Sequence, residues 1–227
     1  MTVQFVAPTW IMPLFNRFTP LGEGALRDGI LAYAQAVAFP LEGVFVIDGS
    51  RRSTKANAFF TGFGRHKRVA LFDTLLEKLM PREVVAVVAH EVGHYRRRHV
   101  AWGLAIGIAQ AGVVFFLLSR VLDAAGLYAA FGLATPSVHA GLVFFSLLYA
   151  PLDLTLSILG HALSRRHEFE ADAFAARTMG DGAGLADGLK RLSADSLSNL
   201  TPHPLQVFLH YSHPPVLARI RALRGAG

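Results

Sequence analysis

Two long apolar stretches lie close together in this sequence, and they constrain its fold more than any other feature. Residues 101–118 contain one strongly polar side chain, Gln110, and residues 140–159 are interrupted by Pro151 and Asp153. Stretches of about 20 apolar residues are long enough to cross a bilayer as helices. Two buried core helices of a soluble domain are the alternative. The composition, 52% hydrophobic and 17% charged with a mean hydropathy of +0.39, favours a membrane hairpin.

The segment between the two stretches predicts how the hairpin is closed and oriented. Residues 119–139 contain glycines and a proline, and they predict a turn with a short interfacial helix. Arg96–Arg98 precede the first stretch and Arg165–Arg166 follow the second, whereas Arg120 is the only basic residue between them. The positive-inside rule therefore places both ends of the hairpin in the cytoplasm. We expect an integral membrane protein, in the bacterial inner (plasma) membrane.

A short histidine pattern lies directly before the first apolar stretch. His90 and His94 are four residues apart, so on a helix they stand one turn apart on the same face. Two imidazoles in this arrangement can bind one zinc ion, and Glu91 on the adjoining face could reach a water in the metal's open position. This His-Glu-x-x-His pattern is typical of zinc hydrolases, with the glutamate as general base. Because such a pattern also arises by chance, it needs a third ligand to support it.

A candidate third ligand follows the second apolar stretch. Glu168 and Asp172 are four residues apart and share a helix face. A carboxylate from a second helix completes many zinc sites that have two histidines, and we assign this role to Glu168. Asp172 would accept a hydrogen bond from the free ring nitrogen of a ligand histidine. The alternative is an ordinary charged helix face. We interpret His167 and Glu170 as part of such a face, or as local salt-bridge partners. Asp153 is expected to face the partner helix or the catalytic side, because lipid contact would be costly.

The remaining patterns predict mainly helices and a small antiparallel sheet beside the histidine helix. Three strands are predicted, at Val44–Ile47, Asn57–Gly64 and Val69–Phe72. The helix that opens at Pro81 meets no proline or glycine between His94 and Gly103, so we expect one uninterrupted helix from the zinc motif into the first apolar stretch. Phe5–Phe15 is broken by prolines and predicts no span. Further helices are predicted at residues 22–38, from Asp73 or Thr74 to Met80, from Glu168 to about Met179, at Leu185–Leu192 and at Pro214–Leu223.

Composition also excludes several function classes. The chain contains no cysteine, so it has no disulfides and no thiolate ligands. Its formal net charge is +6, but no nucleic-acid-binding module is visible, and basic residues that flank apolar spans explain this charge more simply. We therefore expect membrane lipid and a peptide or protein substrate as partners, and no nucleic acid.

Several segments, in order along nearly the whole chain, carry a family resemblance. The sequence resembles the CAAX prenyl endopeptidases, which are integral-membrane zinc metallopeptidases related to the stress protease HtpX. The resemblance implies zinc ligation by His90, His94 and Glu168, with Glu91 as the catalytic base and Asp172 behind the ligands. The matching segments are Ile47–Ser50, Asn57–Gly64, Lys67–Leu76, His90–His94, Ser164–Asp172 and His210–Pro215.

The same resemblance assigns three further positions. Asn57 and His213 match residues that hold the substrate backbone or the transition state, and Arg219 matches a nearby basic residue. The resemblance thus implies a catalytic role for His213 and substrate binding by Asn57 and Arg219. Without the resemblance, Asn57 is equally well interpreted as a turn residue, and His213 before Pro214–Pro215 as a structural histidine. His99 is given no role.

The resemblance also predicts a difference from the family. Family members carry several membrane helices before the segment that corresponds to Phe5–Phe15, and those helices help to enclose a large intramembrane chamber. Two spans cannot build such a chamber alone. The chain is therefore expected to be a fragment, a shortened gene product or a compact relative, and a homo-oligomer or a partner could supply the missing helices.

The sequence as a whole predicts a membrane-bound zinc endopeptidase of the gluzincin type. Three parts are expected: residues 1–100 with the sheet and the zinc motif, residues 101–160 as the transmembrane hairpin, and residues 161–227 with the third ligand. The substrates would be CAAX-like C-terminal peptides, or membrane or misfolded proteins. The alternative is a catalytically inactive membrane protein with a structural zinc site.

Overall fold

The computed structural model describes residues 17–51, 53–61 and 67–225, which form a mostly helical protein with one sheet. The predicted interruption at Phe5–Phe15 lies outside these residues. The four strands are β1 (Phe18–Pro20), β2 (Leu41–Ile47), β3 (Ala58–Thr61) and β4 (Lys67–Phe72), and Gly49–Arg51 form a 3₁₀ turn. The helices are α1 (Ala25–Ala36), α2 (Asp73–Lys78), α3 (Pro81–Arg96), α4 (His99–Leu122), α5 (Ala125–Ala130), α6 (Val138–Met179), α7 (Ala183–Asp195), α8 (Pro204–His210) and α9 (Val216–Arg224).

The sheet is mixed, which corrects the prediction of an antiparallel sheet. Its strand order is β1-β2-β4-β3; β1 pairs with β2 and β3 with β4 in antiparallel fashion, but β2 and β4 run parallel. The direction of a strand pair depends on which strands become neighbours. Strand β4 takes a central position, where Val69, Ala70 and Leu71 are buried, and β3 becomes an edge strand. A strand covered on both faces needs such a continuous apolar run.

The zinc-motif helix α3 lies at the centre of the core. Pro81 occupies its first turn, and the Glu83 carboxylate accepts a hydrogen bond from the Met80 backbone N–H at 2.8 Å, which fixes the start of the helix. Val84, Val88 and Val92 are almost fully buried at intervals of four residues. These valines pack in the core with residues of α1, β3, α6 and α7, so α3 is held on several sides.

The chain breaks between α3 and α4, which corrects the prediction of one uninterrupted helix. Helix α3 ends at Arg96, Arg98 adopts a left-handed conformation with a φ of 56°, and α4 begins at His99. No proline or glycine marks this break, so local sequence could not predict it. The Arg96 guanidinium donates to the Ala38 carbonyl at 2.7 Å and also to that of Val37, which ties the end of α3 to the segment after α1.

Helices α4 and α6 form the predicted hairpin. Both are long and apolar enough to cross a membrane, and almost none of either apolar stretch is buried, in contrast to core helices of a soluble protein. Trp102, Phe115 and Leu147 are among their exposed apolar side chains. Together with the composition, this exposure identifies a membrane protein. Asp153 is exposed rather than buried against α4. Of the two orientations predicted for it, the one towards the catalytic side is left.

The predicted short helix between the spans is confirmed as α5. Tyr128 of α5 is buried, and its hydroxyl donates to the Ser137 carbonyl at 3.2 Å. Gly141 leaves the space for this hydroxyl, because a Cβ there would lie 2.3 Å from it. Helix α6 then runs without interruption past the apolar stretch to Met179, where Gly180, with a φ of 82°, ends it as predicted.

Candidate active site

Three predicted metal ligands from two helices converge at one point. His90 and His94 project from α3, and Glu168 projects from α6. The His90 and His94 Nε2 atoms lie 3.1 Å apart. Glu168 Oε2 lies 3.6 Å from His90 Nε2, and Glu168 Oε1 lies 3.5 Å from His94 Nε2. One donor atom from each residue therefore lies within 4.8 Å of the others.

This triangle of donors fits a zinc ion. Ligands about 2.0–2.1 Å from a tetrahedral zinc are separated from each other by about 3.3–3.4 Å. The separation of 3.1 Å between the two histidine nitrogens, and those of 3.6 and 3.5 Å from each nitrogen to one oxygen of the Glu168 carboxylate, lie close to that value on both sides. Two imidazoles and one carboxylate are also a donor set that zinc accepts, and they leave a fourth position free for water or substrate.

The close approach of α3 and α6 depends on the glycine inside the motif. A Cβ on Gly93 would lie 3.0 Å from both the Cα and the carbonyl oxygen of Ala171, and 3.2 Å from Phe174 Cβ. Ala171 is fully buried and lies between Glu168 and Asp172 on α6. Gly93 therefore allows the two helices to bring their ligands within reach of one another.

Asp172 lies behind the first ligand, His90. Its Oδ1 accepts a hydrogen bond from His90 Nδ1 at 2.9 Å, so His90 is left with Nε2 free for a metal. The Asp172 side chain is 2% exposed. A buried carboxylate in this position orients the ring and fixes its tautomer, as the sequence predicts for Asp172.

Arg219 of α9 neutralises the two buried carboxylates. Its guanidinium binds Asp172 through two hydrogen bonds, of 2.8 and 2.6 Å, and contacts Glu168 at 3.0 Å. The side chain is 11% exposed. The predicted contact of Arg219 with substrate remains a prediction, since in this structure its donors face protein carboxylates.

Glu91 and His213 border the metal-binding triangle. Glu91 is half-buried beside the two histidines, and desolvation raises its pKa, in the direction that suits a general base at neutral pH. His213 is exposed, and its Nδ1 lies 3.1 Å from Glu168 Oε1. The hydrogen bond to Glu168 raises the pKa of His213. A pocket of about 300 Å³ opens beside His213.

Asn57 lies apart from this cluster. It is exposed directly before β3, its side-chain oxygen accepts from the Ala58 N–H at 2.9 Å, and its carbonyl accepts from the Phe72 N–H. Within the described ranges, no hydrogen bond joins Asn57 to the other predicted site residues. Edge strand β3 itself packs against α3, so Asn57 lies at the end of a strand that flanks the zinc-motif helix.

Comparison with known sequences places the chain in a family. The sequence model of Peptidase family M48 matches residues 20–226. The chain belongs to this family. Similar relatives include the CAAX prenyl protease 1 homologues of Arabidopsis thaliana, 38% identical over 99% of this chain, and of Homo sapiens, 35% identical over 95% of it. Each alignment covers 53% of the relative, so this chain spans about half the length of these proteins.

A solved structure shows the same architecture. The crystal structure of S. mikatae Ste24p matches with a TM-score of 0.85 and 34% identity, over 97% of this chain and 55% of that one. The predicted family resemblance and the predicted fold class are thereby confirmed, apart from the strand directions described above.

The M48 site also contains residues that the sequence did not reveal. His99 Nδ1 lies 3.0 Å from His94 Nδ1, and Glu170 contacts the opposite nitrogen of His99. His161 Nδ1 lies 3.0 Å from the Leu209 carbonyl, and the Arg165 guanidinium donates to the Val207 and Tyr211 carbonyls. His161 and Arg165 of α6 thus hold the C-terminal end of α8, directly before the segment that carries His213. Apart from His94 and His99, the partners in these contacts are more than 40 residues apart, and no local pattern connects residues at that distance.

Proposed function

We propose that this chain is a membrane-bound zinc endopeptidase that hydrolyses peptide bonds with Glu91 as general base. The observation that carries the proposal is the group of His90, His94 and Glu168 donors, whose N–N and N–O separations of 3.1–3.6 Å suit one zinc ion, with Glu91 beside it. Membership of a peptidase family supports the same reaction class.

The residues then divide the reaction between them. Zinc bound by His90, His94 and Glu168 would supply Lewis acidity, which lowers the pKa of a water and polarises the scissile carbonyl. Glu91 accepts the proton of the attacking water and later returns it to the leaving amine. His213, whose pKa is raised by its hydrogen bond to Glu168, would donate a hydrogen bond to the developing oxyanion. Asn57, at the β3 edge, positions the extended peptide.

CAAX-type C-terminal peptides are the proposed substrates. The support is the description of the relatives as CAAX prenyl protease 1 homologues. Membrane or misfolded proteins are the second substrate class, and the same residues would cleave them. Cleavage of a prenylated CAAX peptide, measured beside its unprenylated form and a misfolded membrane protein, distinguishes these classes.

The proposed location is a membrane, with the active site on the cytoplasmic face. Arg96–Arg98 and Arg165–Arg166 flank the hairpin on the side of the site, whereas Arg120 lies at its far end. The division into residues 1–100, 101–160 and 161–227 belongs to this proposal. Helix α6 crosses the boundary at residue 160 without a break, so the membrane anchor and the third ligand share one helix.

The variant Glu91→Gln tests the reaction. It preserves the shape of the side chain but removes the base, so we expect peptidase activity to fall by about 10²–10⁴-fold. Zinc content should stay at one ion per chain, because Glu91 is not a ligand. Activity is measured with a fluorogenic peptide and zinc by atomic absorption, on the full chain in detergent. Glu77→Gln, an exposed substitution on α2, is the matched control.

Three results would contradict the proposal in different ways. Retained activity in Glu91→Gln would remove Glu91 from the mechanism. Unchanged zinc content in Glu168→Ala would remove Glu168 from the ligands. An inactive wild-type chain with one bound zinc would favour the structural-zinc alternative.

A further inference from the structure

A second set of hydrogen bonds, separate from the one between His90 and Asp172, starts at the candidate ligand His94. It runs from His94 through His99 to Glu170, and we call these three residues the relay. His94 Nδ1 lies 3.0 Å from His99 Nδ1, and His99 Nε2 lies 3.2 Å from Glu170 Oε2. The other oxygen of Glu170 accepts a hydrogen bond from Arg166 Nε at 2.9 Å. The His99 ring is 7% exposed and stacks on His167, with ring centres 4.0 Å apart. The relay is therefore closely packed around His99.

The positions of the protons in this relay follow from the contacts. When His94 binds a metal through Nε2, its Nδ1 carries the proton. His99 Nδ1 must then be the acceptor, because two N–H groups cannot face each other at 3.0 Å. The proton of neutral His99 is consequently on Nε2, where it is donated to the Glu170 carboxylate. Each step thus fixes the tautomer of the next ring.

We propose that His99 and Glu170 are positioning residues for the metal ligand His94. Asp172 orients the ring of His90 directly. Glu170 would orient the ring of His94 in the same way, but through His99. Each carboxylate is in turn held by an arginine, Arg219 for Asp172 and Arg166 for Glu170. The inference rests on the proposed zinc site.

The backbone break before α4 is what makes this contact possible. In a continuous helix, His99 would point about 140° away from His94, because five residues turn the chain by about 500°. The left-handed conformation of Arg98 redirects the chain, so that His99 returns to His94. A non-glycine residue in this conformation is a strained feature of the kind that clusters at functional sites.

Zinc affinity is the measurement that tests the relay. His99→Phe keeps a ring for stacking on His167 but removes both nitrogens, and we expect zinc to bind 10–100-fold more weakly, as is typical when a ligand histidine loses its partner. His99→Asn should recover most of the affinity, because its side-chain oxygen takes the place of Nδ1 as acceptor. Affinity is measured on the full chain in detergent, by competition with a chromogenic chelator.

Two additional measurements separate positioning from folding. The thermal midpoint of the metal-free chain should be similar in His99→Phe and His99→Asn, whereas the visible spectrum of the Co²⁺-loaded chain should change only in His99→Phe. Glu170→Ala should weaken zinc binding and Glu170→Gln should not, because the glutamine oxygen still accepts from His99. His139→Phe, at an exposed histidine of α6, is the control for loss of a histidine elsewhere.

The outcomes distinguish this inference from the proposed function. If wild type binds one zinc and His99→Phe binds it with the same affinity, the relay has no positioning role, and the proposed peptidase is unaffected. Equal loss of affinity in His99→Phe and His99→Asn would also overturn the inference, since the acceptor would then make no difference. If wild type itself binds no zinc, the proposed function fails first.

Discussion

Arg219 is the residue on which the charge balance of the site depends. Glu168 and Asp172 are two carboxylates one turn apart on α6, with side chains 8% and 2% exposed. One guanidinium contacts both of them. Without a cation in this position, two nearly buried negative charges would face each other across one helical turn, which is unfavourable in a poorly solvated site.

We therefore expect Arg219→Gln to destabilise the metal-free chain by about 3–5 kcal/mol, the usual effect of removing one partner from a buried ion pair. Zinc should restore part of this loss, because its charge compensates Glu168. Arg219→Lys should lie between wild type and Arg219→Gln, since a single ammonium cannot bind Asp172 through two donors. The measurement is the thermal midpoint in detergent, with and without zinc.

Arg221→Gln is the matched control, because Arg221 is an exposed arginine on the same helix. Its midpoint should equal that of wild type. If Arg219→Gln left metal-free stability unchanged and raised only the KM for peptide, Arg219 would act on the substrate, as the family resemblance implies, and not on the carboxylates.

At the residue level, predictability depended on sequence spacing. His90 with His94 and Glu168 with Asp172 are pairs four residues apart, so each pair could be recognised on one helix face before the fold was known. His99 and Glu170 could not be recognised in this way. Their place beside His94 depends on the left-handed Arg98, and nothing in the composition around Arg98 indicates that conformation.

The packing of α3 against α6 is the main determinant of the site at the level of elements. The two helices approach closely at Gly93 and Ala171, and the ligands project from both sides of this contact. Since Glu168 is less than one turn from Ala171, a change in the distance between the helices also changes the distance between the ligands.

Gly93→Ala tests this dependence. The added Cβ would lie 3.0 Å from the Ala171 backbone, so α6 must move by a few tenths of an ångström. We expect a loss of stability of about 1–3 kcal/mol, as for other overpacked contacts, together with weaker zinc binding. Thermal midpoint and zinc competition measure the two effects.

Gly160→Ala is the control for the change from glycine to alanine, because a Cβ at Gly160 meets nothing within 4 Å. It should be neutral or slightly stabilising, since alanine favours a helix by about 1 kcal/mol. If Gly93→Ala behaved like Gly160→Ala, close helix approach would not determine the metal site.

The elements themselves were predicted best where periodicity was strong. Long apolar runs and capping signals gave α3, the hairpin and the end of α6 at Gly180. The short elements β1 and α8 were missed, because three and seven residues are too few to show a period. The antiparallel sheet was wrong for a different reason: the direction of each strand pair depends on which strands become neighbours, a property of the assembled sheet.

At the scale of the whole molecule, the membrane hairpin is inserted between the two halves of the candidate metal site. Helix α4 begins five residues after His94, and α6 returns and continues as the helix that carries Glu168. Because α6 is continuous, the depth of the hairpin in the membrane also determines the position of the third ligand relative to the bilayer. A protease built in this way would cut close to the membrane surface.

The proposed cytoplasmic orientation can be tested directly because the chain contains no cysteine, so that any introduced thiol is the only one. Ala134, between α5 and α6, and Glu77, on α2, are both exposed and lie on opposite sides of the spans. A membrane-impermeant maleimide should label Ala134→Cys on intact bacterial cells, but Glu77→Cys only after permeabilisation, because the flanking arginines keep the site inside. The reverse pattern would invert the orientation. Labelling of both thiols on intact cells would show that the hairpin does not cross the membrane.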